Sequence, residues 1–275
     1  MNNKKNQSNR TTSWSDVASW YDQYVGQDGS PFHQEVILPG VEKLLRIPKS
    51  SSTPFTILDL ACGQGVLQRF FPQPHVKHVG IELSESLIAL AKKRSLDARH
   101  RYVQGDATLL IHDDGSLNYG LEDASFDAVT ILLAIQNMSP LSAVWKGVKR
   151  LLKPEGKCII VMMHPSFRIP KASSWQWNDK EKRQERTLWS YLSSHEIPIT
   201  SNPGKGLEST TTTHFHRPLQ AYVNTIGNAG LWIDHLEEWV SHVPEQTGVK
   251  SEALLQAKKE FPMFLALVAR NVVSR

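Results

Sequence analysis

Five short apolar runs alternate with amphipathic stretches through the middle of the chain. The runs lie at 55–61, 77–83, 101–107, 126–134 and 157–163. Their hydrophobicity is nearly continuous, which is typical of central strands in a parallel sheet that is buried on both faces. Because helical patterns separate the runs, we predict an α/β fold in which helices cover both faces of the sheet.

The end of the chain completes the predicted sheet. Apolar runs at 231–239 and 264–272 follow each other without a clear helical pattern between them. We predict that they pair antiparallel at the edge of the sheet. The expected architecture is therefore a Rossmann-like, doubly wound sheet of seven strands that is mostly parallel and carries an antiparallel C-terminal edge pair.

Two predicted helices carry clear start signals. Residues 84–96 show a helical pattern, and Ser84 is suited to accept a hydrogen bond at the helix N-terminus. A later helix is predicted to begin with Ser139 as the N-cap residue and Pro140 at the first helical position. Leu141 is the first residue of its predicted apolar face.

The segments outside this alternation are predicted to form a tail, a cap and a lid. Residues 1–13 have no apolar residue after Met1 to bury, and we expect a disordered tail. Residues 14–50 show two helical patterns, the second from about His33, and form a predicted helical cap. Residues 165–217 lack a clean period but are aromatic-rich, which favours a lid inserted into a single domain, 14–275.

Composition narrows the classes of function. The 275 residues are 40% hydrophobic and 21% charged, which is ordinary for a soluble globular protein. The net charge is +4, but three of the positive charges lie in the acid-free N-terminal tail, so we expect no nucleic-acid partner. No apolar run approaches the roughly 18 residues that span a bilayer. Cys62 and Cys158 lie in predicted buried stretches, so a disulfide is not expected and a cytoplasmic location is.

The stretch ILDLACGQG at 57–65 is the strongest candidate for a ligand site. It places Asp59 at the end of a strand, and the turn that follows contains Gly63 and Gly65. Glycines in such a turn let the backbone approach a ligand closely. Glu82 follows Gly63 by 19 residues, at the end of the next strand, where a carboxylate can accept hydrogen bonds from both ribose hydroxyls.

Two nucleotide cofactors compete for this site. A dinucleotide site requires a third glycine where this chain has Gln68, and Asp59 would repel a pyrophosphate. S-adenosylmethionine (SAM) carries an ammonium and a sulfonium group, both of which an acid attracts. The residues therefore favour SAM.

Five segments resemble, in order, the motifs of the class I SAM-dependent methyltransferases: ILDLACGQG, VGIELSESLIALAKKR, YVQGDATLL, FDAVTILLAIQNM and LKPEGKCIIVMM. The N-terminal VASWYDQYV resembles the opening of the ubiquinone/menaquinone-biosynthesis group, and HPSFRIP and HFHRPLQAY resemble a bacterial branch of the family. The resemblance implies SAM as the cofactor and S-adenosylhomocysteine as the product.

The resemblance also implies residues for each part of the cofactor. Asp59 is expected to anchor a water or the amine near the methionine end, Glu82 to hold the ribose, and Asp106 to bind the adenine amino group. The other implied contacts are Ala61, Gly63 and Gly65 in the turn, Leu83 and Ala107 around the adenine, Leu133 and Ala134 beside the sulfonium, and Tyr21 over the carboxylate end.

The acceptor side offers weaker candidates. His164 follows the fifth predicted strand, at the carboxyl edge where open α/β sheets bind ligands, and is the candidate general base. Arg168 can meet an acceptor carboxylate or phosphate, or form a structural ion pair, and the residues leave both readings open. His33 and Asn137 are further candidates for acceptor binding. No metal site is expected.

The predicted reaction is methyl transfer from SAM to a small molecule by in-line displacement. Two alternatives stay open. An RNA or protein methyltransferase could dock its substrate on the basic residues of the lid. A non-catalytic SAM-binding protein is the other, because this chain has Gln136 and Asn137 where the family often has two histidines.

Overall fold

The computed structural model describes residues 14–95, 97–201, 210–242 and 249–271, so the predicted tail at 1–13 lies outside the described residues. Strands and helices alternate along most of the chain. The strands are β1 (Phe55–Leu60), β2 (Val76–Glu82), β3 (Arg101–Gln104), β4 (Phe126–Leu132), β5 (Leu152–Met163), β6 (Ser173–Asn178), β7 (Arg183–Leu188), β8 (His195–Ser201), β9 (Thr210–His216), β10 (Trp232–Trp239) and β11 (Phe264–Arg270).

The helices follow the predicted pattern in the cap and in the domain centre. They are α1 (Trp14–Val25), α2 (Leu38–Leu45), α3 (Val66–Phe70), α4 (Glu85–Arg94), α5 (Leu141–Leu151), α6 (Leu219–Asn228) and α7 (Val249–Glu260). A π-helical turn, His33–Ile37, leads directly into α2, and a short 3-10 helix, Ile135–Asn137, follows β4. None of the helices in the described residues is long and apolar enough to cross a membrane.

Seven strands form one sheet in the order β10-β11-β5-β4-β1-β2-β3. The neighbours from β3 to β5 run parallel, whereas β11 runs antiparallel to both β5 and β10. The predicted Rossmann-like fold and the antiparallel pairing of the last two strands are confirmed. The later strand lies inside the pair, since β11 inserts between β5 and the edge strand β10.

The sheet is buried on both faces because successive residues of its central strands enter different cores. In β1, Ile57 packs into the layer that contains the cap helices, and Leu58 packs into the layer that contains Trp145 of α5. All three side chains are fully buried. This two-sided burial explains why the strands read as continuous apolar runs.

The helix starts were predicted with mixed success. The Ser84 hydroxyl accepts a hydrogen bond from the Leu87 amide at 3.3 Å, so the predicted cap of α4 is confirmed. The predicted start of α5 is wrong by one residue. Pro140 is extended, with φ −82° and ψ 147°, so it occupies the N-cap position and the helix begins at Leu141 without a side-chain cap.

The segment 165–217, predicted as a lid because its sequence is aromatic-rich and lacks a clean period, contains two antiparallel hairpins, β6–β7 and β8–β9. Helix α7 was also missed, because its lysine- and glutamate-rich sequence has only a weak apolar face. Cys62 and Cys158 are buried free thiols.

Candidate functional site

The carboxyl ends of β1, β2, β4 and β5 border a cavity of about 620 Å³. Cap residues from α1 and the π-helical turn cover one side, and hairpin β8–β9 covers another. This is a typical size and position for a ligand site in an open α/β sheet. The predicted site residues in its lining are Tyr21, His33, Ala61, Gly63, Glu82, Leu83, Asp106, Ala107, Leu133, Ala134 and Asn137.

The glycine turn after β1 depends on backbone conformations that favour glycine. Gly63 and Gly65 have φ angles of +54° and +82°. A Cβ on Gly65 would lie 2.7 Å from the Tyr102 hydroxyl, so no larger residue fits that turn. Gly63 lines the cavity, whereas Gly65 lies behind it and shapes the turn.

Glu82 connects this turn to the end of β2. Its Oε2 accepts a hydrogen bond from the Gly63 amide at 3.1 Å, and its Oε1 accepts one from the Ser84 amide at 2.9 Å. Burial raises the pKa of the Glu82 carboxyl, and the backbone hydrogen bonds oppose that rise. Each oxygen keeps lone-pair capacity for a further donor, so the side chain presents a fixed acceptor at the cavity wall.

Asp59 lies beneath the cavity rather than in its lining. Only 6% of the residue is exposed, and its Oδ1 accepts a hydrogen bond from the Thr130 hydroxyl at 2.7 Å. Burial raises the pKa of the carboxyl to about 7. A buried acid without a cationic partner is poised to gain from a positively charged ligand nearby.

Tyr21 brings the cap helix over the glycine turn. A Cβ on Gly63 would lie 3.5 Å from the Tyr21 ring, which places the ring directly against the turn. Burial, together with the charges of Glu82 and Asp59, raises the pKa of the Tyr21 hydroxyl far above its usual value. The hydroxyl therefore stays protonated and serves as a donor at the wall.

Asp106 follows β3 and offers one oxygen to the cavity. Its Oδ1 accepts hydrogen bonds from both the amide and the hydroxyl of Thr108, each at 2.7 Å. The Tyr119 hydroxyl accepts from the Asp106 amide at 2.9 Å and fixes the backbone. The second carboxylate oxygen has no hydrogen bond within the described ranges, so it is available to a ligand donor.

Gln136 and Asn137 use their amides to hold the fold. The Gln136 side chain donates to the Met163 carbonyl at 2.8 Å and accepts from the Met163 amide at 3.1 Å. Asn137 lines the cavity and donates to the Thr213 carbonyl of β9 at 2.8 Å. The Gln136 bonds join the segment after β4 to the end of β5, and the Asn137 bond fastens the lid hairpin to the same segment; neither amide is a general base.

The structure does not bring His164 to the cavity, where the sequence analysis placed it as a base. Its Nε2 lies 2.7 Å from Glu238 Oε1, and its Nδ1 accepts a hydrogen bond from the Ser166 amide at 3.1 Å. Both ring nitrogens are therefore engaged, Nε2 with Glu238 of the edge strand β10 and Nδ1 with the turn that follows β5. His164 lies outside the cavity lining.

Arg168 also lies outside the cavity lining. Its guanidinium carbon is 5.5 Å from the ring centroid of Trp175, and that of Arg186 is 5.1 Å from the same centroid. Arg168, predicted either to meet an acceptor anion or to form a structural ion pair, instead packs against the Trp175 ring inside the lid. The Arg168 side chain serves this contact in the structure.

Several lining residues were missed by the sequence analysis. Ser30, Phe32, Met138, Thr213 and Phe264 all line the cavity. The position of Ser30 could have been predicted, since a serine just before a helical pattern is typical of a helix N-cap. The position of Thr213 could not, because the hairpin that carries it shows no alternation of apolar and polar residues.

Known proteins are similar to this chain over the same region. Residues 58–160 match the family described as a methyltransferase domain. A demethylmenaquinone methyltransferase of Thermotoga maritima is 31% identical over 114 residues, covering 41% of this chain and 45% of the relative. One of Beutenbergia cavernae is 28% identical over 193 residues, covering 70% of this chain and 61% of the relative. The matches thus span less than two thirds of either relative.

The fold is likewise shared with solved structures. A crystal structure of an S-adenosylmethionine dependent methyltransferase from Mesorhizobium loti superposes with a TM-score of 0.63 at 24% identity, covering 89% of this chain and all of that chain. At this identity the likeness concerns the fold alone. It agrees with the seven-stranded sheet described above.

Proposed function

We propose that the chain is a class I SAM-dependent methyltransferase that transfers the methyl group of SAM to a small apolar acceptor. The observation that carries the proposal is Glu82. This buried carboxylate is held by two backbone amides, one of them in the glycine turn, at the wall of the cavity.

The residues around the cavity fit SAM part by part. Glu82 suits the two ribose hydroxyls, and the second oxygen of Asp106 suits the amino group of an adenine. The Tyr21 hydroxyl can donate to a carboxylate, and buried Asp59 favours a positive charge above it. When bound, SAM supplies an electrophilic methyl group on a positively charged sulfur. The protein supplies orientation and exclusion of water.

The rest of the lining supports an apolar ring as the acceptor. It includes Phe32, Met138, Met163, Met263 and Phe264, beside the polar residues Ser139, Glu196 and Thr213. Aromatic and methionine side chains pack well against flat apolar molecules. Relatives named demethylmenaquinone methyltransferase agree with an acceptor of the quinone type.

The test measures SAM binding by calorimetry in two variants, Glu82→Gln and Glu85→Gln, which change glutamates three residues apart. Glu85 is exposed on α4 and serves as the matched control. We expect Glu82→Gln to weaken binding by roughly 1.5–3 kcal/mol, since a charged acceptor of hydrogen bonds is lost. Equal affinities of the two variants would show that Glu82 does not hold the ribose.

A further inference from the structure

Two buried polar side chains of the cap interrupt the apolar wall of the cavity. Ser30 and His33 both line it, with 2% and 8% of each residue exposed. The Ser30 hydroxyl oxygen lies 2.8 Å from Nδ1 of His33. Their neighbours in the lining, Val25, Phe32 and Phe264, are apolar, so this pair is the chief polar feature of that part of the wall.

The backbone around the pair is shaped to place the His33 ring. His33 begins the π-helical turn that leads into α2, and such turns are frequent at functional sites. Gly29 precedes it with φ +97°, and a Cβ there would lie 2.6 Å from the Cβ of His33. The Gln34 side chain donates to the Gly29 carbonyl at 2.7 Å and fixes this approach.

The hydrogen bond between the Ser30 hydroxyl and His33 can form with the ring proton on either nitrogen. The Ser30 carbonyl accepts a hydrogen bond from the Gln34 amide at 3.0 Å, which fixes Ser30 at the start of this turn. In the tautomer that carries the proton on Nδ1, the ring donates to the Ser30 hydroxyl and Nε2 keeps a lone pair. Within the described part of the chain, Nε2 has no protein partner and is not sealed from solvent.

His33 is uncharged at neutral pH, which is the state in which an imidazole can accept a proton. Burial lowers the pKa of the imidazole to about 4, so the ring is uncharged at pH 7. Among the other described histidines, His164, His214, His216 and His242 do not line the cavity, although the His242 ring lies 5.1 Å from that of Phe32.

We propose that His33 accepts the proton of the methyl acceptor through Nε2, and that Ser30 positions it by holding Nδ1–H. This inference rests on the proposed methyltransferase function. When the acceptor's heteroatom takes the methyl group, the electron pair of the broken carbon–sulfur bond stays on sulfur, and the heteroatom's proton passes to Nε2. The imidazolium then returns the proton to water.

The position of His33 in the wall also narrows the chemical class of the methyl acceptor. A proton-accepting nitrogen in an apolar wall serves a flat apolar molecule that carries one acidic O–H or N–H group. For a carbon acceptor such as a hydroquinone ring, the same nitrogen takes the hydroxyl proton, which raises the electron density of the ring carbon that is methylated. That carbon then loses its hydrogen as a proton to water, and the oxygen regains a proton from the imidazolium, so that the aromatic ring is restored.

The first test reads the proton positions directly by nitrogen NMR of protein with 15N-labelled histidine and added S-adenosylhomocysteine. His33→Gln identifies the signals. We expect His33 to be protonated at Nδ1 and unprotonated at Nε2 at pH 7, and Ser30→Ala to remove this preference. A proton on Nε2 in the wild-type protein would overturn the proposal, whatever the acceptor is.

The second test measures turnover of a stated probe, 1,4-naphthohydroquinone, with methyl-labelled SAM under reducing conditions. We expect His33→Gln to lower kcat by at least about 100-fold while the SAM dissociation constant stays within about twofold. His112→Gln, at an exposed histidine, is the matched control. A His33→Gln variant with the wild-type kcat contradicts the role of His33.

The outcomes separate this proposal from the proposed function. Failure of the wild-type protein to bind SAM contradicts the function itself. Binding of SAM without methylation of the probe contradicts the acceptor class, and the tautomer of His33 then decides the present proposal alone.

Discussion

Asp59 and Glu82 end neighbouring strands, yet their carboxylates are stabilised to different degrees. Glu82 accepts hydrogen bonds from two backbone amides, whereas the described bonds of Asp59 come from Thr130 alone. Burial therefore raises the pKa of Asp59 to about 7, from an ordinary value of 3.8. In the protein without ligand, Asp59 contributes to the free energy of unfolding fully below about pH 4. This contribution is lost as the pH rises towards 7.

The pKa of Asp59 predicts a proton linkage to cofactor binding. A cationic ligand favours the carboxylate, so binding at about pH 6.5 should release protons, and SAM affinity should increase as the pH rises towards 7 and then level off. Calorimetry in two buffers of different ionisation enthalpy measures the released protons. Asp59→Asn should abolish the linkage; an Asp59→Asn protein that still releases the same number of protons would assign them to another group.

His78 is a buried histidine whose two ring nitrogens have no hydrogen-bond partner among the described residues. Its ring stacks on Phe71 at a centroid distance of 6.5 Å. Burial lowers its pKa to about 3, below the ordinary 6.5, so this group costs stability progressively as the pH falls from 6.5 towards 3.

We therefore expect His78→Leu to stabilise the protein. Removing two unpartnered buried polar atoms should add about 1–3 kcal/mol to the free energy of unfolding at pH 7.5, and more at pH 5.5. Urea unfolding at both pH values measures this, with His112→Leu as the exposed control. A destabilised His78→Leu protein at both pH values would mean that a hidden partner holds the ring.

At the scale of elements, an ion pair between described residues fastens helix α1 to the domain. Arg94 of α4 donates to the two carboxylate oxygens of Asp22 at 2.5 and 2.9 Å. The Gln64 side chain donates to the Gly26 carbonyl at 2.5 Å, which ties the end of the helix to the glycine turn. Because α1 carries Tyr21 over that turn, the ion pair holds the cover of the cofactor site in place.

Asp22→Asn should loosen this cover without unfolding the domain. We expect faster hydrogen exchange across α1 and faster dissociation of S-adenosylhomocysteine, because the helix opens more often. Asp123→Asn breaks an exposed ion pair with Arg150 and is the matched control. If Asp22→Asn leaves both rates at wild-type values, the ion pair does not hold the cover.

Elements with a strong local pattern were predictable from sequence. The five central strands were found because burial on both faces demands continuous apolar runs, and Ser84 marked the start of α4. Hairpin β8–β9 was not found, because its threonine-rich strand β9 lacks an apolar alternation. The π-helical turn was not found either, since its bonding depends on how the Gly29 turn packs rather than on local propensity.

Residues of the candidate site also differ in how well they could be predicted from the sequence. Cavity-lining residues in the strand-end turns, such as Glu82, could be predicted because their spacing follows the βαβ topology. The acceptor side depends on how the cap and the lid close over the sheet. His164 therefore looked suitable from its place after β5, but the fold turns it to Glu238, and His33 from the cap reaches the cavity instead.

At the scale of the whole molecule, the cavity lies between three parts that are separate in sequence. The sheet supplies the cofactor residues, the cap supplies Tyr21 and His33, and the lid supplies Thr213. Asn137 joins lid to sheet through Thr213, and Arg94 joins cap to sheet through Asp22. The arrangement places most of the proposed cofactor residues on the sheet and the proposed acceptor wall on the cap and the lid.

The central claim is that this cavity binds SAM. Calorimetry of the full chain with SAM, S-adenosylhomocysteine and NAD tests it most directly. The account predicts micromolar dissociation constants for the first two, about −8 kcal/mol, and no measurable binding of NAD. Folded protein that binds NAD tightly and neither SAM nor S-adenosylhomocysteine would contradict it.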